Sequence, residues 1–416
     1  MDVLAKSSNA APYDVLRVRD DFPILGTTVY GKPLAFLDSA ASAQKPRVVI
    51  DAVRHVYEAE YANIHRGVYY LSQKSTQAFE DAREKVRAFL NAASDKEIIF
   101  VRNGTEAINL VAQTYGRAFL KAGDEIILSR MEHHSNIVPW QLLRDQTGIV
   151  IRVAEIDRDG NFLLDEFEKL LSAKTKLVAI TQLSNSLGTI TPITAIIKKA
   201  HAAGAKVLVD GCQAVQHMRI DVQALDADFY VFTGHKLYGP SGIGVLYGKA
   251  ALLNAMPPYQ GGGEMIRTVT FEKTDYNDLP HKFEAGTPHI VGAIGLGVAI
   301  DYVNSIGMDA IAAHEHAILD YAWGRLEEVP GVTIIGRARD HGSLISFVMD
   351  CAHPHDIGTI VDRDGVAIRT GHHCAQPVMD FFDIAATARA SFGMYTSRQD
   401  VDALIEGLHK VRKIFA

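Results

Sequence analysis

The stretches that decide the fold are Val207–Gln213, which reads VLVDGCQ, and Phe232–Pro240, which reads FTGHKLYGP. An apolar run typical of a buried strand leads into each set of polar residues. At the carboxyl edge of a parallel sheet, such polar residues face the place where α/β proteins bind ligands. We therefore predict that Asp210 and Lys236 share a site, although a lone residue of either type is more often a loop cap or a solvated charge.

Around these stretches, short β-branched runs alternate with segments of helical periodicity. Strands are predicted at residues 97–101, 125–128, 150–156, 176–183, 206–209 and 228–232. Helices are predicted at residues 105–120, 137–146, 164–171 and 194–203. Strands separated by helices of this length indicate crossover connections, and therefore an α/β fold with a mostly parallel sheet covered on both faces.

The pattern changes in the last third of the chain. A long helix is predicted at 309–328, followed by strands at 332–335, 344–349 and 365–369 and by a helix at 398–415. Strands in close succession beside two helices indicate a smaller α+β domain.

This change of pattern suggests a division of the chain. We predict an N-terminal segment (1–35) that packs with the small domain, a large domain (36–300) and a small C-terminal domain (301–416) that carries Cys374. Residues 257–288 are rich in Gly, Pro and polar side chains, so an extended loop is predicted there.

The composition is that of an ordinary globular protein, with 48% of 416 residues apolar and 22% charged. A formal net charge of −7 gives no indication of a nucleic-acid or membrane partner. No apolar run approaches the roughly 18 residues that span a bilayer, and the N-terminal segment lacks a secretory signal. The three cysteines, Cys212, Cys351 and Cys374, are too few for a disulfide framework, so we predict a cytoplasmic location.

Asp210 and Lys236 together suit a cofactor that carries an aldehyde. Lys236 supplies the primary amine for a Schiff base, and Asp210 supplies the anion that holds a proton on a pyridine nitrogen. A phosphate on such a cofactor needs N–H donors and the positive end of a helix. The candidate phosphate ligands are the N–H groups of Thr105 and Glu106 at a predicted helix start, the Thr233 hydroxyl and His235.

The loop Glu132–Asn136, which reads EHHSN, follows another predicted strand. It places His133 where a flat ring can stack on the cofactor. The same letters also suit half of a metal site or an ordinary polar loop. Because no third ligand stands at a suitable spacing, we predict no metal site.

These motifs, in this order, resemble the class V family of pyridoxal-phosphate enzymes, from Phe36–Ala41 (FLDSAA) to Ala388–Tyr395 (ARASFGMY). Within it, Ile368–Pro377 (IRTGHHCAQP) is similar to the cysteine loop of the SUF-type, group II cysteine desulfurases. The longer SSGSACTS loop of group I is absent. The resemblance implies fold type I of the pyridoxal-phosphate-dependent transferases, with a mostly parallel seven-stranded sheet in the large domain.

The resemblance also implies roles for residues around pyridoxal 5'-phosphate. Lys236 forms the Schiff base and moves protons, Asp210 pairs with the pyridinium, Gln213 binds the phenolic oxygen, and His133 stacks on the ring. Further implied roles are phosphate binding by Thr105, Thr233 and His235, with Thr287 from the partner subunit of a homodimer, and substrate binding by Asn185, Arg389, Arg369 and, at the border of the site, His65.

The implied reaction converts L-cysteine to L-alanine and leaves the sulfur as a persulfide on Cys374. A transient SufE- or SufU-type acceptor then takes the sulfur toward iron–sulfur cluster assembly. A thiol is a nucleophile only as its thiolate, so a nearby cation or base should help. Arg369 and the pair His372–His373 are candidates for this help, and a simple hydrogen-bonded loop is the alternative for the pair.

Three other functions remain open from the sequence. Selenocysteine lyase activity would use the same residues but depend less on Cys374. A class V aminotransferase or kynureninase would not need a cysteine in the RTGHHCAQP loop. A catalytically silent assembly scaffold would not need to keep Lys236, Asp210, His133 and Arg389 together.

Overall fold

The computed structural model describes residues 13–415. Its helices are α1 Val15–Asp20, α2 Arg47–His55, α3 Tyr70–Leu90, α4 Gly104–Val111, α5 Arg117–Phe119, α6 Val138–Thr147, α7 Leu164–Leu170, α8 Ile193–Ala202, α9 Val222–Leu225, α10 Ala250–Ala255, α11 Ile290–Ile306, α12 Met308–Glu327, α13 Pro354–Asp362, α14 Gln376–Phe382 and α15 Arg398–Phe415. Its strands are β1 Thr28–Val29, β2 Lys32–Pro33, β3 Ala35–Phe36, β4 Ile98–Val101, β5 Glu125–Ser129, β6 Val150–Ala154, β7 Thr175–Thr181, β8 Lys206–Asp210, β9 Phe229–Thr233, β10 Gly244–Gly248, β11 Ile266–Val269, β12 Thr274–Tyr276, β13 Val332–Ile335, β14 Leu344–Met349, β15 Val366–Ala367, β16 Arg369–Gly371 and β17 Thr387–Ser391.

The central sheet has seven strands in the order β4-β10-β9-β8-β7-β5-β6. Only β10 runs antiparallel to its neighbours in this sheet. The predicted α/β class with a mostly parallel seven-stranded sheet is therefore confirmed. Six of these strands were predicted, and β10 was not, because Gly244 and Gly248 shorten its apolar run to three residues.

Both faces of the sheet are buried. On β8, Val207 and Val209 belong to one apolar cluster, whereas Leu208 between them belongs to the cluster on the opposite face. Successive side chains of a strand point to opposite faces, so a strand between two helical layers must be apolar at every position. This explains why VLV and similar runs decide the fold.

The small C-terminal sheet is antiparallel, in the order β13-β14-β17-β16. The predicted strand 365–369 was wrong as a single strand, because its residues belong to two sheets. β15 pairs in parallel with β3 near the N-terminus, and β16 pairs with β17. The break at Ile368 lets the chain leave one sheet and enter the other.

The N-terminal segment contacts this C-terminal region through β3 and through Arg19, whose Nη1 lies 2.6 Å from Asp400 Oδ2. Its first twelve residues lie outside the described part of the chain. The predicted boundary at residue 300 falls inside α11, which packs on α2 and α3 of the large domain. The division into domains stays a prediction.

The predicted extended loop 257–288 contains more structure than expected. β11 and β12 form a hairpin within it, in which the Thr268 hydroxyl donates to Asp275 at 2.8 Å. The predicted helix 105–120 also differs, because a wider turn at residues 112–116 separates α4 from α5. Within residues 13–415, no single helix has the length and hydropathy of a membrane span, although α11 and α12 meet that test jointly across a 75° bend.

Arg83 on α3 and Glu284 form a buried ion pair beside the first strand of the central sheet. Arg83 donates to Glu284 Oε1 at 2.6 Å, to Glu284 Oε2 at 2.9 Å and to the Ile98 carbonyl at 2.9 Å. The Phe100 N–H also donates to Glu284, at 2.7 Å. Both charges lie away from water. Loss of Glu284 therefore leaves the Arg83 Nη groups and the Phe100 N–H without their carboxylate, although Glu80 still accepts from Arg83 Nε at 2.8 Å.

We expect Glu284→Ala to lower the free energy of unfolding by about 3 kcal/mol, because Arg83 stays charged and buried with only its pair to the half-buried Glu80 to compensate it. Urea denaturation measures this loss, and the double variant Arg83→Met/Glu284→Leu should recover much of it. The control Asp301→Asn breaks an exposed pair with Lys85 and should cost at most about 1 kcal/mol. Equal losses in Glu284→Ala and Asp301→Asn would contradict the assignment.

Candidate active site

A cavity of about 310 Å³ lies at the carboxyl edge of the central sheet. Its volume is at the lower end of typical ligand pockets, roughly 300–1,000 Å³. Eleven of the predicted site residues line it, namely Thr105, His133, Asn185, Asp210, Gln213, Thr233, His235, Lys236, Arg369, Cys374 and Arg389. The first eight come from the large sheet and its loops, and the last three from the C-terminal region.

Asp210 ends β8, Lys236 follows the adjacent strand β9, and both residues line the same cavity. Asp210 is buried at the end of β8, where Oδ1 accepts the Cys212 N–H at 2.9 Å. Burial lowers the pKa of Lys236, with the Arg389 charge acting in the same direction. A lower pKa keeps more of the amine neutral, and the neutral amine is the form that attacks an aldehyde.

His133 is held as a neutral ring. Its Nδ1 accepts the Ser135 N–H at 3.0 Å, which puts the ring proton on Nε2. Burial, helped by the charge of Lys236, lowers the pKa of His133 to about 4. A neutral, flat imidazole on the cavity wall suits the stacking role that the sequence suggests.

Glu132, for which no role was predicted, anchors the His133 loop to the sheet. Its fully buried carboxylate accepts the Thr181 N–H at 3.0 Å and Asn136 Nδ2 at 2.7 Å, as well as the Ser129 hydroxyl. Burial raises the pKa of Glu132 to about 7. Thr181 ends β7 beside Asp210, so this network fixes the spacing between the His133 loop and Asp210.

The start of α4 reaches the cavity through Gly104 and Thr105 but not through Glu106. The Glu106 N–H donates to the capping Asn103 Oδ1 at 2.9 Å, and the Glu106 side chain pairs with Arg102 at 2.8 Å. The prediction that Glu106 contributes a phosphate donor was therefore wrong, because the helix cap uses that N–H. A Cβ on Gly104 would lie 2.5 Å from Cys212 Sγ, so the close approach there requires glycine.

Several buried polar atoms on the cavity wall lack a partner within residues 13–415: Thr233 Oγ1, His373 Nδ1 and Arg389 Nε. Unpaired buried polar groups are costly, so such atoms are expected to pair with a ligand. Pyridoxal 5'-phosphate fits this set. The Thr233 hydroxyl and the start of α4 suit its phosphate, Lys236 suits its aldehyde, and Asp210 suits its ring nitrogen.

Cys374 lies in a loop that hydrogen bonds tie to the large domain. The His134 N–H donates to the Cys374 carbonyl at 2.7 Å, and Asn185 Nδ2 donates to the His373 carbonyl at 2.6 Å. Residues His373 and Cys374 have φ values of 54° and 55°, in the left-handed region that costs non-glycine residues energy. The two anchors hold this strained pair, and the Cys374 side chain stays exposed.

The structure narrows the candidates for activating the Cys374 thiol. His373 Nε2 lies 2.8 Å from the Thr387 hydroxyl, and burial lowers the pKa of His373 to about 3. A neutral His373 can help the thiol only as a base and not as a cation, and its part in activating Cys374 stays a prediction. Arg369 remains as a cation on the cavity wall, where it contacts Asp38.

Two predicted residues lie elsewhere. Thr287 lines a second cavity of about 260 Å³, together with Glu106. His65 does not reach the first cavity, and its Nε2 lies 2.9 Å from Glu80 Oε1. His65, Glu80 and His281 have potential metal-ligating atoms within 4.8 Å of one another, but Glu80 also pairs with the Arg83 cation at 2.8 Å.

Comparison with known proteins gives concordant results. A family model described as aminotransferase class-V matches residues 35–404. A cysteine desulfurase of Dickeya dadantii is 53% identical over 403 residues, which cover 97% of this chain and 98% of that protein.

Two solved structures share the fold over nearly the whole chain. The cysteine desulfurase CsdA from Escherichia coli has a TM-score of 0.91 at 38% identity and covers 98% of this chain and 100% of its own. The apo cysteine desulfurase from Thermococcus onnurineus has a TM-score of 0.91 at 36% identity, covering 96% and 98% of the two chains. The chain therefore belongs to the aminotransferase class-V family and, within it, to the pyridoxal-phosphate-dependent cysteine desulfurases.

Proposed function

We propose that this protein takes sulfur from L-cysteine, holds it as a persulfide on Cys374 and passes it on for iron–sulfur cluster assembly. The observation that carries the proposal is the placement of Cys374. Its side chain lines the same cavity as Lys236 and is exposed to solvent. One thiol can therefore meet both a substrate inside the cavity and an acceptor outside it.

Different residues of the cavity bind the substrate and the cofactor. Arg389 and Asn185 bind the substrate carboxylate, because a planar guanidinium suits two-point contact with a carboxylate. Asp210, Gln213, Thr105, Thr233 and His235 hold the cofactor, and His133 covers its ring. When bound, pyridoxal 5'-phosphate supplies the electron sink that stabilises negative charge at the substrate Cα.

Lys236 and Cys374 then act on the substrate. Lys236 Nζ accepts the proton from the substrate Cα and later returns it to the Cα of the product. Only the neutral form of the amine can accept this proton. The Cys374 thiolate attacks the substrate sulfur, so that an S–S bond forms as the Cβ–S bond breaks. The electron pair of that bond goes to Cβ, which takes up the proton that the Cys374 thiol gave up. In sum, L-cysteine and the Cys374 thiol give L-alanine and a Cys374 persulfide.

The proposal includes partners. A SufE- or SufU-type acceptor takes the sulfur, which the exposure of Cys374 supports. The enzyme acts as a homodimer in which Thr287 serves the partner's cofactor site, a role compatible with its position in a cavity other than the one that Lys236 lines. The three free cysteines are compatible with a cytoplasmic location.

The first test is sulfide and alanine release from L-cysteine with dithiothreitol as acceptor. Cys374→Ala should lose both products while it keeps the absorbance of bound cofactor, because only the sulfur-accepting group is gone. The control variants Cys212→Ala and Cys351→Ala should keep both activities. Equal turnover by wild type and Cys374→Ala would contradict the proposal, and retained turnover of L-selenocysteine alone would favour a selenocysteine lyase.

A second test locates the amine that binds the cofactor. Borohydride reduction followed by peptide mapping should place the cofactor on Lys236, whose pKa burial lowers. Lys45 is the main alternative lysine for binding the cofactor, because it lies beside His235 and burial lowers its pKa to about 8. Lys45→Ala should label as the wild type does, and Lys236→Ala should not. Labelling at Lys45 in the wild type would contradict the assignment.

A third test uses the pKa of His133, which burial lowers to about 4. A group with a lowered pKa stays neutral down to that pH, so protonation of His133 should not reduce kcat between pH 8 and 5. The kcat profiles of wild type and His133→Gln should therefore have the same shape in this range, whatever their absolute rates. A wild-type inflection near pH 6.5 that His133→Gln lacks would show that the ring is not held neutral.

A further inference from the structure

The helix that follows Cys374 begins with a hydrogen bond to the large domain. Gln376 is the first residue of α14, and its N–H donates to His134 Nε2 at 3.1 Å. The first N–H groups of a helix have no acceptor within the helix itself. His134 lies between β5 and α6, so its imidazole supplies an acceptor from a distant part of the chain.

His134 holds the chain on both sides of Ala375. Its backbone N–H donates to the Cys374 carbonyl at 2.7 Å, while its side chain accepts the Gln376 N–H. Ala375 between them is fully buried, and its own N–H donates to the His372 carbonyl at 2.9 Å. A single bond would let the segment turn about it, whereas two bonds to one residue also fix the orientation of the segment.

The His134 ring can accept this bond only in its neutral form. A ring nitrogen that carries a proton is a donor, so an accepting Nε2 places the proton on Nδ1. Burial lowers the pKa of His134, and the nearby His372 acts in the same direction. The surroundings therefore favour the form of the ring that the contact needs.

The contacts that hold His133 do not involve the His134 ring. His133 Nδ1 accepts the Ser135 N–H at 3.0 Å, and Glu132 ties the loop to the sheet at the Thr181 N–H. A substitution that removes only the ring of His134 should therefore leave His133 on the cavity wall. It should also leave the backbone bond from His134 in place.

We propose that the His134 side chain is a positioning residue for the nucleophile: by accepting the Gln376 N–H, it holds the Cys374 thiol where it can reach the substrate sulfur. This inference rests on the proposed role of Cys374 as the group that accepts sulfur. Without the ring, the backbone bond remains, but the segment can turn about it. The thiol then spends part of its time away from the attack position, and a misplacement of about 1 Å can cost about 100-fold in rate.

The first measurement follows the Gln376 N–H itself. His134→Leu removes the accepting nitrogen, so hydrogen exchange of this amide in the holoenzyme should become about fivefold faster, the effect of one typical hydrogen bond. His134→Gln places Oε1 close to the position of Nε2 and should restore slow exchange. The control His316→Leu removes an exposed imidazole from α12 and should leave the exchange unchanged. Mass spectrometry of peptides that span residues 372–380 measures these rates.

The second measurement follows the thiol. Without an acceptor, each protomer forms one alanine from L-cysteine, so the rate of this burst reports attack by Cys374 and not release of the persulfide. His134→Leu should lower the burst rate about tenfold, because the thiol is less often in place. The L-cysteine concentration for half-maximal rate should not change, because Arg389 and Asn185 are untouched. His134→Gln should recover most of the rate.

A reaction that does not need the thiol separates positioning from general damage. Exchange of the Cα proton of L-alanine with D2O requires Lys236 and pyridoxal 5'-phosphate but no group that accepts sulfur. This exchange should keep the wild-type rate in His134→Leu, whereas Lys236→Ala should lose it. His134→Asn, whose amide is too short to reach the Gln376 N–H, should reproduce the effects of His134→Leu and replaces that variant if it does not fold.

Three results would overturn the inference. They are an unchanged amide exchange in His134→Leu, a faster amide exchange with an unchanged burst, and a slower burst with an equally slower Cα proton exchange, since the ring would then act through the cofactor site. Failure of the proposed function gives a different result. Cys374→Ala would then turn over L-cysteine as the wild type does, while exchange of the Gln376 amide still reports whether the His134 ring holds the segment.

Discussion

Hydrogen bonds between the cysteine loop and the large domain are the constraint on which this active site depends. Lys236 follows a strand of the central sheet, whereas Cys374 lies between β16 and α14 of the C-terminal region. The bonds from the His134 N–H to the Cys374 carbonyl and from Asn185 Nδ2 to the His373 carbonyl join the two. Both anchors bind backbone carbonyls, so they fix the position of Cys374 and leave its thiol free to react.

Neutral and cationic side chains occupy different parts of the cavity. Burial favours the neutral forms of Lys236, His133 and His373, which line the part of the cavity that must hold an aldehyde and move protons. The permanent positive charges are Arg369 and Arg389 on the small sheet. Positive charge is thereby concentrated where a carboxylate is expected, and the reactive groups keep their lone pairs.

The sequence predicted the fold well because its signal is local. Each buried parallel strand is an apolar run, and each run ends where polar residues must face the sheet edge, so sequence alone was enough to place Asp210 and Lys236 together. β10 was not predicted, because its apolar run has only three residues between glycines. The hairpin of β11 and β12 was not predicted, because the glycine-rich composition of residues 257–288 indicated a loop.

The errors in the site have a different origin. Glu106 was assigned to the cofactor, but its N–H serves the cap formed by Asn103, a competition that spacing alone does not reveal. Asp38 lies 351 positions before Arg389 and was noticed only as part of a motif. Contacts of this range follow from sheet register, and register is not readable from one sequence.

The left-handed pair His373–Cys374 explains why the nucleophile stands on a loop. A residue on β16 or β17 would face either the cavity or the opposite side, because strand side chains alternate between the two faces of a sheet. Cys374 lines the cavity and is exposed as well. Two consecutive left-handed residues turn the chain sharply enough for Cys374 to reach both the cavity and solvent. The left-handed conformation costs roughly 1–2 kcal/mol for each of the two residues. The anchors from His134 and Asn185 offset this cost, so the same bonds that join the two parts of the site also permit one thiol to serve substrate and acceptor.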